Sequence, residues 1–409
     1  MNEEEAYEFV RGTLKEERII PYKEDELKII KSIEQCINCG ICINHCPVVA
    51  GVGVDQFSGP RSIAVELSRS PPEFWTTGDK VYLCTGCGTC REVCPKSVNI
   101  PEIVNMIRAR IFEHRPDLVP KELHKVLETI HEHKKAFAPW DDPEDKIDSR
   151  DMRLDRLGLP LVGIEHKESV DVLFYPGCQA EEMAQEVKEA AKVLLKRFDV
   201  NFAVLDEFSC CGLPARLIGD DKTARELNKS LKDKINSLGV KMLVTTCAGC
   251  TSNISDIAER DNWDIPIYHL IEYLAEHIGI DKLQAEMAPD KSKTKITVHE
   301  PCHLIRHTSR QILDYAIEIL QTIPNVEVIS SSARDSCCGG GGMVAHHAPG
   351  VAKSVVRINL AAIDATSASR VVTPCPLCTA TLEDNLYRSG SSVDVDDLTV
   401  FIATHLSKE

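Results

Sequence analysis

The chain has 409 residues, 43% hydrophobic and 27% charged, a globular balance with material for two or three domains and too apolar for a disordered chain. Its 47 basic against 63 acidic residues leave a formal net charge of −16, which argues against binding along a phosphate backbone. The 18 cysteines fall short of the ~8–10% typical of a disulfide-knit secreted domain, and no run reaches the ~18 apolar residues of a membrane span.

The opening Met1-Asn2-Glu3-Glu4-Glu5 lacks the basic and apolar stretches of a secretory signal. A cytoplasmic setting is therefore expected, where thiols serve metals or redox chemistry rather than disulfides. A helical run over 22–33 leads to Cys36, Cys39, Cys42 and Cys46, and the same spacing returns at Cys84, Cys87, Cys90 and Cys94. Both read C-x2-C-x2-C-x3-C-P, closed by Pro47 and Pro95. This is the ferredoxin run for paired [4Fe–4S] clusters, in which the fourth cysteine of each run serves the other cluster. Cys36, Cys39 and Cys42 with Cys94 should hold one cubane, and Cys84, Cys87 and Cys90 with Cys46 the other. Zinc is the alternative for paired C-x2-C elements, but two full matches with both prolines favour iron. Between the runs, residues 63–67 are helical and Pro71-Pro72 ends the stretch; helices follow over 101–112 and 120–133.

From Ala138 onward the sequence is polar and interrupted, as in Trp140-Asp141-Asp142-Pro143, and reads as a linker with at most short helical pieces. The expected division is a helical module over 1–137, a linker over 138–167, and two further domains over 168–285 and 294–409.

Those two domains repeat one pattern. Cys178, Cys210, Cys211, Cys247 and Cys250 recur as Cys302, Cys337, Cys338, Cys375 and Cys378, at offsets of 124 to 128 residues. A duplication at this period means two similar domains rather than a solenoid. In the first, strands over 170–175, 202–205 and 242–246 alternate with helices over 182–197 and 223–238; strands over 296–298, 326–329 and 370–373 repeat the order. The fold class is thus a helical two-cluster module followed by two α/β units with mostly parallel sheets. Each cysteine group follows the C-terminal end of a strand, where open α/β sheets bind ligands. One metal site per unit is expected, built from its own five thiols. Five exceed the four that one zinc or one cubane takes, although a four-ligand site with a spare cysteine, or zinc in one unit, stays open.

Other motifs are weaker. His299-Glu300-Pro301-Cys302-His303 matches the letters of H-E-x-x-H, but Pro301 opposes the helical turn that a zinc protease needs. Gly339 to Gly342 permits close backbone approach to a cluster or substrate, yet lacks the Lys-Ser/Thr of a P-loop.

Cys210-Cys211-Gly212 with Cys247-Ala248-Gly249-Cys250, and Cys337-Cys338-Gly339 with Cys375-Pro376-Leu377-Cys378, resemble the CCG (cysteine-rich) domains of the heterodisulfide reductase family. A ferredoxin module fused to two such domains is similar to the D subunit of its membrane-associated methanogen form. The resemblance implies reduction of the mixed disulfide of coenzyme M and coenzyme B, methanogenic in role. It implies that each CCG unit holds a noncubane [4Fe–4S] cluster on its five cysteines, with the disulfide between the two. It implies two cubanes as the electron path, and a b-type cytochrome subunit in the membrane as donor, this chain being peripheral. His303, next to a ligand cysteine, is the expected proton donor to a product thiolate, or else a partner of a cluster sulfur or a carbonyl. Arg306, His346 and His347 are expected to bind anionic groups of the substrate. The alternative within the resemblance is an electron-transfer subunit of a glycolate, lactate or glycerol-3-phosphate dehydrogenase-type complex. All ten CCG cysteines being present favours catalysis.

Overall fold

In the computed structural model, residues 2–16, 20–69, 80–164 and 169–407 are described. The two α/β units have the same architecture. The first contains β1 (Val172–Tyr175), β2 (Phe202–Ala203), β3 (Met242–Thr245) and β4 (Ile267–His269). The second contains β5 (Thr294–Val298), β6 (Val326–Ile329), β7 (Arg370–Thr373) and β8 (Asp394–Asp397). Sheet orders are β2-β1-β3-β4 and β6-β5-β7-β8, every pair parallel. Val172, Leu173, Phe174 and Tyr175 are all buried, as expected of a parallel strand covered by helices on both faces.

This order has a physical consequence for the cysteines. The chain leaves β1 toward β2 on one side, then returns to add β3 on the other. The crevice at such a switch point, beyond the carboxyl ends of the strands, is where ligands enter. Cys178 and Cys247 follow β1 and β3, and Cys302 and Cys375 follow β5 and β7. The edge strands β4 and β8 are not apparent in the sequence; β8 reads Asp-Val-Asp-Asp, with no alternating apolar signal.

The units interlock. The helix Gln185–Arg197 of the first packs against Leu398–Thr404 of the second, while Leu270–Tyr273 of the first packs against Gln311–Thr322 of the second. Leu194, Leu195, Ile319, Leu320, Val400 and Phe401 accordingly belong to one continuous apolar core.

The N-terminal module is helical and sits across both units. Its helix Ile100–His114 packs on Leu213–Ile218, and its helix Pro47–Val52 on Pro349–Asp364. The helix expected over 63–67 lies within Pro60–Arg69, whereas Pro71-Pro72 falls outside the described residues. The segment read as a linker differs from expectation. Residues Pro143–Leu157 form a helix of 15 residues, capped by Asp142 and closed by Gly158 at φ +67°. It is pinned to the first unit: Trp140 Nε1 donates to the Glu182 carbonyl (3.0 Å), and Arg153 Nη1 donates to the Met183 carbonyl (2.8 Å) and to Glu186 (2.9 Å). Glu182 is buried between Lys135 and Lys146, at 2.7 and 2.6 Å. Polar anchoring of this kind leaves no apolar stripe for a periodicity argument to find.

Candidate functional site

All 18 cysteines are free thiols. In the N-terminal module, Cys36, Cys39, Cys42 and Cys94 line one small cavity, beside Arg61 and Lys96, with Cys90 in its wall. Cys46, Cys84, Cys87 and Cys90 line a second. The short runs wrap their cavities through left-handed turns, among them Gly88 at φ +78°. A side chain at Gly88 would meet His307 Nε2 at 2.9 Å, so this glycine also lets the second α/β unit approach the loop. Cys39 is exposed and Cys46 buried, and burial pushes the Cys46 thiol up to about 12. Thiolates there require a compensating cation.

The ten thiols of the α/β units form two chains of hydrogen-bonding contact. In the first, Cys210 touches Cys178 and Cys211, Cys211 touches Cys250, and Cys250 touches Cys247. In the second, Cys337 touches Cys302 and Cys338, Cys338 touches Cys378, and Cys378 touches Cys375. Cys247 also touches Cys375, so the two quintets meet. Hydrogen bonds from neighbouring thiols hold Cys211, Cys337 and Cys375 well below the ordinary cysteine value. Nine of the ten, Cys337 excepted, line a single cavity of about 150 Å³. Its other walls are apolar, with Phe137, Leu213, Leu217, Met343 and Leu377, and its ionisable groups besides the thiols are His303 and His346. Ala136 and Phe137 bring the N-terminal module to the same cavity.

His303 Nδ1 bonds Ser252 Oγ of the first unit (2.8 Å), and its ring stacks on His307 at 4.9 Å. His307 Nε2 in turn meets the Gly86 carbonyl, between Cys84 and Cys87 (3.0 Å). Burial lowers His303 and His307, the latter to about 3.

Two expected substrate contacts lie elsewhere. Arg306 is outside the cavity: its guanidinium bonds Glu92 and, at 3.0 Å, Asp335, while Arg91 reaches the Arg306 carbonyl. It fastens the second unit to the loop around Cys90 rather than facing a ligand. His347 turns Nδ1 to the Met343 carbonyl (3.1 Å) and sets its ring edge to Tyr82. The four glycines also differ in role. A Cβ at Gly342 would sit 2.1 Å from the Cys84 carbonyl, and one at Gly341 2.5 Å from that of Thr85. Their bareness admits the N-terminal cysteine loop, though Gly340, Gly341 and Gly342 also line the cavity.

Arg108 carries no motif in the sequence and is central in the structure. It is 1% exposed. Its guanidinium donates to the carbonyls of Val81, Cys84, Leu217 and Gly342, at 2.7 to 3.4 Å, which joins all three modules at one point. Among the described residues no carboxylate pairs with it. Two arginines, Arg108 and Arg110, set among the buried Ile103, Val104, Met106, Ile107 and Ile111 of one helix were the available signal.

Comparison with known proteins agrees with this arrangement. Residues 32–98 match the 4Fe-4S dicluster domain. Residues 172–255 and 296–383 match the cysteine-rich domain. The chain is an iron–sulfur protein with a dicluster module and two cysteine-rich domains. It resembles the D subunit of dihydromethanophenazine:CoB–CoM heterodisulfide reductase from Methanosarcina barkeri, with 25% identity over 416 residues, covering 92% of this chain and 95% of that one. The B subunit of fumarate reductase (CoM/CoB) from Methanothermobacter marburgensis is 24% identical over 90% of this chain and 71% of that one. A probable glycolate oxidase iron–sulfur subunit of Bacillus subtilis is 23% identical over 90% of this chain and 94% of that one. Among solved structures, a hypothetical protein from Helicobacter pylori shares the fold, with TM-score 0.59 and 11% identity over 100% of this chain and 77% of that one. No described helix is long and apolar enough to cross a membrane.

Proposed function

We propose that this chain is the catalytic iron–sulfur subunit of a heterodisulfide reductase, reducing CoM–S–S–CoB to the thiols of coenzyme M and coenzyme B. The observation that carries the reading is the meeting of two complete thiol quintets, through Cys247 and Cys375, at the wall of one apolar cavity. The donor set fits: buried thiolates are the ligands of iron–sulfur clusters and need their positive charge. Cys36, Cys39, Cys42 and Cys94 would hold one cubane, and Cys84, Cys87, Cys90 and Cys46 the second. Cys178, Cys210, Cys211, Cys247 and Cys250, and Cys302, Cys337, Cys338, Cys375 and Cys378, would each hold a noncubane cluster. When bound, these clusters supply electrons one at a time; one disulfide takes up two electrons and two protons to become two thiols.

The chain's own residues account for the rest. Electrons enter at the exposed Cys39 end, and the loop of Cys84 and Cys87 hands them to the second quintet, since Thr85 bonds Cys337 and Cys87 lies close to Cys302 and Cys337. The apolar walls hold the carbon arms of the substrate and keep water from the S–S bond. His303, anchored by Ser252, presents its remaining edge to a product sulfur, and His346 stands on the same wall. A b-type cytochrome subunit in the membrane is the proposed donor, which makes this chain peripheral on the cytoplasmic side.

Anaerobically purified protein should oxidise reduced viologen when the heterodisulfide is added and contain about sixteen irons, four per cluster site. Cluster-loaded protein that leaves the dye reduced would overturn the reading. It would favour the branch of the glycolate oxidase-type subunit, in which the chain carries electrons for a dehydrogenase partner.

A further inference from the structure

His299 lies at the end of β5, three residues before Cys302, and is 1% exposed. Its Nδ1 lies 2.8 Å from Asn359 Nδ2, which also donates to the Ser336 carbonyl at 3.1 Å. The carbonyl fixes which way the Asn359 amide faces, because reversing it would set oxygen against oxygen. Asn359 is therefore the donor to Nδ1, so Nδ1 is the acceptor nitrogen and the ring carries its proton on Nε2. That Nε2 is buried without a protein partner. The imidazole and the sulfurs of Cys338 and Cys378 lie within 4.8 Å of one another. An Nε2–H cannot ligate a metal; it can donate to sulfur.

Among the described residues the first unit has no counterpart. The residue three before Cys178 is Tyr175, which also lies among its thiols, but its single hydroxyl proton goes to the Ser209 carbonyl at 2.7 Å. The remaining donors to the cysteine pairs are matched. Gly212 N and Gly339 N approach Cys210 and Cys337 at 3.4 Å each, Leu213 and Gly340 serve Cys211 and Cys338, and one side chain is added on each side, Asn253 and Thr85. His299 is left over.

We infer that His299 donates Nε2–H to a sulfur of the cluster held by the second quintet, and so raises the reduction potential of that cluster relative to the first. Hydrogen bonds to cluster sulfur favour the reduced, more negative state. The consequence is an order: the site beside the N-terminal cysteine loop fills before the site across the cavity. His299 is a positioning residue here, acting through the cluster and not on substrate. The inference rests on the reading of the second quintet as iron ligands.

The test is an EPR-monitored redox titration, with iron analysis, of the anaerobic holoprotein and of His299→Phe, His299→Gln and Asn359→Leu. Phe keeps the ring without the donor, and Gln restores an N–H. In His299→Phe one noncubane midpoint should fall by the equivalent of a tenfold loss in electron affinity, about 59 mV for one electron, with iron content and the other midpoints unchanged. His299→Gln should recover at least half of that. Asn359→Leu, which keeps the imidazole but frees its tautomer, should move the same signal partway, and it reads the effect even where His299→Phe does not fold. Unchanged midpoints at full iron content would overturn the inference and leave the cluster assignment intact. Loss of iron in both His299 variants would make His299 a ligand and overturn it too. Wild-type protein without iron in the second quintet would overturn the assignment itself.

Discussion

The two cysteine-rich units share sheet order, cysteine pattern and amide donors, yet they face different neighbours. The second is pressed against the N-terminal cysteine loop: Gly341 and Gly342 lie under Thr85 and Cys84, and Arg306 reaches Glu92. The first meets the helix Ile100–His114 and the tail of that module instead, with Cys210 N donating to the Lys134 carbonyl at 2.8 Å and the helix Pro143–Leu157 alongside. Where the second unit has Gly340-Gly341-Gly342, the corresponding positions of the first are Leu213-Pro214-Ala215. A duplicated fold has thus been made asymmetric by docking the cysteine loop of a third module at one of its two equivalent sites. In the proposed scheme, that asymmetry gives the electrons a direction.

Arg108 is the residue whose loss should break the comparison most completely, because it bonds to both units and to the loop. Arg108→Met keeps the aliphatic bulk and abandons four buried carbonyls. A loss of about 3–5 kcal/mol is expected, in the range for breaking a buried charged network. Anaerobic chemical denaturation reads it, and the cluster signal of the Cys84 loop should be lost first. A change under ~1 kcal/mol would show that the carbonyls find other partners. Gly342→Ala attacks the same junction from the second unit. At φ +63° and 2.1 Å from the Cys84 carbonyl, its methyl group forces the loop away, for about 2–3 kcal/mol by strain and overpacking. Gly350→Ala, whose Cβ meets nothing within 4 Å, is the control and should be neutral.

The sequence conveyed this junction unevenly. Cysteine spacing places the thiols because a metal-binding loop is a local object, and the repeat reveals two sheets because each βα step is local as well. The Gly339 to Gly342 run was visible, but its purpose was not: the residues it makes room for, Thr85 and Cys84, lie some 250 positions away. Arg306 was misplaced for the same reason, since its partner Glu92 belongs to another module. The helix Pro143–Leu157 shows the opposite failing. Asp142-Pro143 and Gly158 are good boundary signals, but the helix buries only Leu154, with Leu157 beside it, and ion pairs to Glu182 and Glu186 supply much of its anchoring, so no apolar period marks it.

Arg306 also sharpens the comparison through pH. Burial works against ionisation of Glu92, yet the hydrogen bond from Arg306 and the charges of Arg306 and Arg310 hold its carboxyl below the ordinary value of 4.5. A carboxyl depressed in the folded state stabilises docking above its unfolded value, and that contribution fades as pH falls through the lower folded value. Arg306→Ala should cost about 2 kcal/mol at neutral pH, since the partners are half-exposed. It should also remove the part of the acid sensitivity below pH ~4 that comes from Glu92. Denaturation midpoints measured from pH 7 down to 3.5 decide it. An equal acid slope in both proteins would separate Glu92 from the clamp.

The smallest effect is expected on the other side of the molecule. Asp142 accepts from Glu144 N at 2.8 Å and caps the helix that lies along the first unit. Asp142→Ala removes one satisfied amide at a helix start, worth about 1 kcal/mol. That helix touches the first unit through Glu182 and Glu186. Fraying should therefore loosen the Cys178 side of the cavity and leave the Cys84–Cys337 junction as it was. Hydrogen exchange distinguishes the two: faster exchange over 143–157 and 178–183, with 80–94 and 337–343 unchanged, means the two sites open independently. Faster exchange in all four segments would mean that the units, for all their different neighbours, yield as one body through the core they share.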